Sequence, residues 1–231
     1  MDNHDLPPHA IAPINPLPPV VWMLVLPMIA LEIAFSLGEA HLIGGAQAIG
    51  WRTAAIEAYG VFPEYWRQNA AIGRFTPEVL WRFATYSFIH YSATQAVFAV
   101  VILLAMGKFV GEIFRAWAVA AVFFAGAIVG GLVFASFVAR QPLFGAYPGV
   151  YGLIGAFTFL LWVRLAGTGT NQFRAFSLIG ALLFFQLVFG LLFGGGFEWV
   201  ADLSGFATGF LLSFVVSPGG FARVRDRIRQ R

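Results

Sequence analysis

The chain has no cysteine, and only four histidines, none beyond residue 90. Disulfides, thiolate nucleophiles and cysteine-ligated metals are thereby excluded, and without a His-rich cluster neither a metal nor another cofactor is expected. Charge is scarce as well. Asp, Glu, Lys and Arg make up 11% of residues, against about a quarter in soluble domains, while 59% are apolar. With a mean hydropathy of +0.79, this is the composition of a membrane protein. Stretches of alternating apolar and polar residues are also missing, which argues against a transmembrane barrel. Helices remain, since they satisfy their backbone groups within the segment.

Six stretches are long and apolar enough to cross a bilayer: about 19–37, 88–107, 116–138, 147–166, 174–193 and 198–217. The expected fold class is all-α and polytopic, a six-transmembrane-helix bundle over 19–217. A tail at 1–18 precedes it and a basic tail at 218–231 follows. The first tail is rich in proline and lacks Lys and Arg, so it is expected to be flexible. A signal peptide carries a basic region before its apolar run. Acids stand there instead, and the first span reads as a retained anchor.

Lys108, Arg115, Arg164, Arg174 and the tail arginines Arg223, Arg225, Arg227, Arg229 and Arg231 fall in segments expected to be cytoplasmic. Both termini then lie inside, and the 38–87 connection, the 139–146 loop and the 194–197 loop lie outside. The basic tail follows a span directly, which fits contact with anionic lipid headgroups and not with nucleic acid. The absence of cysteine and of an organelle-targeting segment fits a bacterial inner membrane. The long 38–87 connection holds Trp51, Tyr59, Phe62, Tyr65, Trp66, Phe75 and Trp81. Amphipathic rings favour the headgroup level, so this segment is expected to be structured and interfacial.

Ionisable groups within hydrocarbon are costly, and each is a candidate for function. The expected spans contain Glu32, His90 and Asp202, with Glu198 and Arg164 near span ends. Glu32, close to the outer end of its span, suits a hydrogen bond to the 38–87 segment. Gly126 with Gly130, and Gly205 with Gly209, are spaced to let helices approach closely.

The runs WRFATYSFIHYSATQAVFAVVILLAMG (81–107), GAYPGVYGLIGA (145–156) and VADLSGFATGF (200–210) resemble, in order, the signature regions of the rhomboid family of intramembrane serine proteases. The resemblance implies a six-helix fold with a long outer loop between the first two helices, and a loop motif at Trp81 and Arg82. It places the family's serine nucleophile at Tyr147, the glycine after it at Pro148, and its histidine base at Asp202. The surrounding frame is kept at Gly145, Gly149, Gly152 and Gly155, and at Ala201, Gly205 and Gly209; Tyr151 stands where the family often has an aromatic against the histidine. Of the positions associated with oxyanion stabilisation, His90 is kept, while Gln95 and Ala99 replace a histidine and an asparagine. No catalytic residue of the family's dyad is therefore intact.

The chemistry of these replacements can be judged directly. A serine attacks a carbonyl because an adjacent imidazole takes its proton. A phenol is a poor acyl-transfer nucleophile, and a carboxylate with a reference pKa near 4 is a weak base towards a phenol near 10. Gln95 keeps an amide that can donate. Three functions remain open: an inactive pseudoprotease that binds transmembrane segments of partner proteins, in assembly, quality control or stability; an active intramembrane endopeptidase with a non-standard site; and a small transporter or channel. For the first, Tyr147 and Asp202 are expected to face each other in a hydrogen bond, Pro148 to start the fourth span, and recognition to use the side near the second and fifth spans.

Overall fold

The computed structural model describes residues 16–138, 140–193 and 196–219. The basic tail arginines at 223–231 and most of the proline-rich tail lie outside these residues. Among the described residues the chain is helical apart from loops and one isolated antiparallel bridge, Val61 to Leu143. Five helices are long and apolar enough to cross a membrane: α1 (Pro19–Glu39), α6 (Ala93–Gly111), α7 (Ala116–Phe137), α8 (Tyr147–Gly167) and α10 (Glu198–Val216). The 174–193 stretch is a 3-10 turn, Gln172–Phe176, followed by α9 (Ser177–Phe193). Its 17 residues span only about 26 Å, so the turn is needed for the stretch to reach across a core of about 30 Å.

The 38–87 connection is folded into short helices, α2 (Trp51–Tyr59), α3 (Pro63–Ala71), α4 (Pro77–Leu80) and α5 (Arg82–Thr85). Proline opens α1, α3 and α4, where its missing N–H costs nothing and its fixed φ suits the first turn. The rings emphasised by the sequence are divided in use. Trp66 packs edge-on to Phe83 at 5.0 Å, while Trp81 and Phe75 are exposed. Val61, Phe83, Tyr86 and Leu143 join Phe134 and Ala201 in a small core that seats the connection on the ends of α7 and α10.

The second span begins later than its apolar run. Ser92 caps α6 by accepting from the Gln95 N–H at 3.3 Å, and Gln95 Oε1 reaches back to the Tyr91 N–H at 2.7 Å. The Ser92 cap opens the helix and the Gln95 side chain holds the residue before the cap, so residues 88–92 lie outside the helix. His90 consequently sits in the link before α6 and not within the span.

Helices α7, α8 and α10 form the centre. Their backbones touch where side chains are missing: a Cβ on Gly205 would strike the Pro148 carbonyl oxygen, and one on Gly209 that of Gly152. From α7, Gly130 meets the Ala201 carbonyl, and Gly126 meets Gly152. Without hydrophobic drive between helices in lipid, this closeness is what gives dispersion its grip. Helix α6 packs on α8, α1 packs outside α6, and α9 lies at the edge beyond the 3-10 turn that joins it to α8.

Candidate functional site

Residues 143–148 turn from the preceding loop into α8. Gly145 takes φ +101°, a conformation suited to glycine, and its N–H bonds to the Tyr86 carbonyl at 2.9 Å. Ala146 caps α8, Tyr147 is its first residue, and Pro148 lies in its first turn. Beneath this corner is a cavity of about 280 Å³, lined by Gln95, Leu143, Phe144, Tyr147, Pro148, Tyr151, Gln186, Glu198 and Asp202. Chain segments from α6, the 139–146 loop, α8, α9 and α10 thus converge on one space.

Asp202 is 3% exposed and points into this cavity from α10. Its partner is Gln186 of α9, whose Nε2 donates to Oδ2 at 2.9 Å; Oδ1 has no donor. The hydrogen bond expected from Tyr147 is therefore not the one that forms, because α9 delivers a side-chain amide to the carboxyl instead. Tyr147 and Tyr151 line the same space, and Glu198 stands one turn before Asp202, with Oε1 accepting from Gln141 Nε2 at 2.7 Å. Gln141 also accepts from the Phe197 N–H at 2.9 Å, tying the loop before α8 to the start of α10. No sequence signal marked it.

The positions linked by resemblance to the oxyanion divide three ways. Gln95 lines the cavity, with Nε2 towards Gly145; His90 lies just behind Gly145; Ala99 is fully buried in the main core and does not line the cavity. His90 accepts from the Ala146 N–H at Nε2, 3.3 Å, and its carbonyl accepts from Arg52. Burial holds its pKa down at about 4, with Arg52 adding to that effect and Glu32 opposing it. A neutral ring whose Nε2 already accepts from the α8 cap is committed to structure. Gly149 faces the Phe123 ring rather than the cavity. Gly205 and Gly209 serve the backbone contacts described above.

Around the corner a charge cluster fastens the connection to α1. Arg52, 7% exposed, donates from Nη1 and Nη2 to the two oxygens of Glu32 at 2.8 Å each, and from Nε to Glu39 at 2.7 Å. Its Nη1 also bonds the His90 carbonyl at 3.0 Å. Glu32 thus does bond the 38–87 segment, as a bidentate ion pair, and it is not free to serve a proton path. The partner, Arg52, read in the sequence as one loop cation among four. Arg82 holds the C-terminal end of α2, donating to the Glu57 and Gly60 carbonyls at 2.9 and 2.8 Å under the Tyr65 ring. Trp81 beside it is exposed.

Among the described residues no serine is hydrogen-bonded to an imidazole; Ser36 donates to Glu32 Oε1 at 3.1 Å, but that carboxylate is already held by Arg52. Ser92 caps α6, Ser136 bonds the Leu132 carbonyl and Ser204 the Val200 carbonyl. Among the described residues no group of three or more His, Asp or Glu could hold a metal ion.

Comparison with known proteins agrees with this architecture. The rhomboid domain family model matches residues 77–219, more than half of the chain, and the chain belongs to the rhomboid family. It is also similar to Rhomboid-related protein 3 of Mus musculus, 27% identical over 158 residues. That alignment takes in 64% of this chain and 39% of the mouse protein, so the chain spans well under half of that relative's length.

Proposed function

We propose that this rhomboid-family membrane protein is a pseudoprotease that binds the transmembrane segment of a partner protein, in its assembly, quality control or stabilisation. The observation that supports the reading is the content of the cavity: a phenol and a carboxyl stand where the resemblance puts the nucleophile and the base, and the carboxyl is engaged by Gln186. Acyl transfer has no imidazole to accept a proton there, since the His90 ring sits behind Gly145 with its acceptor nitrogen already used. Two carboxyls do line the cavity, but Glu198 is tied to Gln141 at the rim. The place for a partner helix is the side between α6 and α9. There, among the described residues, α9 packs less closely than the other long helices, and Phe184 and Phe185 are exposed.

The test is co-purification in nanodiscs from native membranes of wild type, Asp202→Ala and Tyr147→Ala, with a serine-directed fluorophosphonate probe applied in parallel. The expected result is no probe labelling and one near-stoichiometric membrane partner, reduced in at least one variant. Cleaved fragments of a membrane protein that disappear in the variants would overturn the reading and restore proteolysis.

A further inference from the structure

The cavity has a chemical bias that loss of catalysis leaves unexplained. Two acceptors at its buried end lack a donor: Asp202 Oδ1, on a side chain only 3% exposed, and Gln186 Oε1. The amide N–H of Gln186 is already given to Asp202 Oδ2, so oxygen is what remains. Glu198, exposed at the rim, adds a second carboxyl, and no residue of the lining is basic. Buried polar atoms in folded proteins are nearly always paired, and a buried carboxyl oxygen without a partner is a costly exception. Between rim and floor the walls include the rings of Phe144, Tyr147 and Tyr151. Aromatic faces attract cations, and their apolar bodies accept an aliphatic stem. The space, about 280 Å³, falls just under the range of roughly 300–1,000 Å³ typical of drug-sized ligands, so a single side chain suits it.

We propose that the cavity receives a basic side chain, the ammonium of a Lys or the guanidinium of an Arg, carried within the transmembrane segment of the partner. This rests on the helix-binding reading above and supplies the chemistry of what is bound. Such a residue is expensive in lipid, so a helix that carries one gains by placing it here. Its three to five N–H donors match the orphan acceptors, with Glu198 meeting the charge at the mouth and Asp202 receiving it at the floor. The loosely packed α9 is the side of entry, and Gln186 on that helix reports arrival through its bond to Asp202.

The test uses the full chain in phosphatidylcholine nanodiscs and two Leu–Ala transmembrane peptides that differ only in a Lys or a Leu at the depth of Asp202. A second arm measures the thermal midpoint with n-butylammonium chloride against n-butanol. The Lys peptide is expected to bind wild type about tenfold tighter or more. That preference should largely vanish in Asp202→Asn and shrink in Glu198→Gln, and n-butylammonium should raise the midpoint of wild type but not of Asp202→Asn. Equal binding of the two peptides with no n-butylammonium shift would overturn the basic-side-chain site while leaving helix binding in place. A shift with neither peptide bound would support the site and refute helix binding; silence in both arms would overturn both. A Lys preference that persists in Asp202→Asn would place recognition elsewhere and sink the proposal.

Discussion

Helices α8 and α9 are both built mainly from apolar residues, yet one is enclosed by the bundle and the other, among the described residues, lies loosely at its edge. In α8 the glycines are points where backbones meet: Gly152 lies against the Val122 carbonyl and Gly155 against the Phe206 carbonyl. In α9, Gly180 has open space where a side chain would go, and Phe184 and Phe185 face outward. The looser helix is the more apolar of the two, which is consistent because lipid is as apolar as leucine and burial in protein brings no transfer gain. What separates them is whether small residues recur on a face that meets another helix. The rigid side of the bundle is thus set by glycine spacing, and the adjustable side by its absence.

The largest effect should come from filling a backbone contact. Gly209→Leu is expected to lose about 3 kcal/mol or more of stability, by overpacking against a carbonyl that cannot retreat. The matched Gly180→Leu on α9 should be neutral or gain up to about 1 kcal/mol from helix propensity. Equal losses in reversible unfolding in detergent would erase the contrast between the two helices.

Arg52→Ala asks whether the 38–87 connection belongs to the rigid side. Glu32, whose side chain is 13% exposed, would be left without its cation, at a cost of about 3 kcal/mol; Glu39, at 43%, would suffer little. Arg52→Ala with Glu32→Ala should recover much of the loss in a double-mutant cycle, and full additivity would show that the pair is not coupled.

Acid offers a graded version of the same question. The His90 pKa of about 4 lies below the reference value of 6.5, so the unfolded chain takes up a proton first. Stability from this group is complete above about pH 6.5, falls as pH drops towards 4, and levels off below, for a total of about 3 kcal/mol. His90→Gln should flatten that slope in thermal midpoints measured across pH 4–7. An unchanged slope would mean that another group carries it.

The last change, Gln186→Leu, strips the buried Asp202 carboxyl of its donor, at a cost of about 1–3 kcal/mol, and should raise amide exchange in α9 while α8 and α10 stay protected. Exchange that rises equally in all three helices would blur the distinction from which these predictions start.

Much of this fold was legible in the sequence because long apolar runs and four-residue glycine spacing are local signals. The glycines of α7, α8 and α10 sit on the contacts that spacing implied, and the first turn of α8 starts where Pro148 suggested. Hydropathy misplaced the start of α6, since 88–92 are apolar enough to continue the run; Ser92 and Gln95, three apart, carried the better signal as a cap. Pairings across the chain were not legible. Glu32 called for a partner, but which of four loop arginines would fold back 20 residues to meet it depended on how α2 docks. Asp202 likewise pairs with Gln186 and not Tyr147, a choice made by the lateral position of α9, on which the sequence is silent.

The bridge between Val61 and Leu143, with its two reciprocal bonds of 2.9 Å, has a bearing on how the protein is made. These residues are separated by roughly 80 positions, which at translation speeds of 5–20 residues per second amounts to a wait on the order of 4 to 16 s. During that interval the connection has left the ribosome while the edge it pairs with has not. Docking of the connection onto this edge therefore waits until α7 has been made.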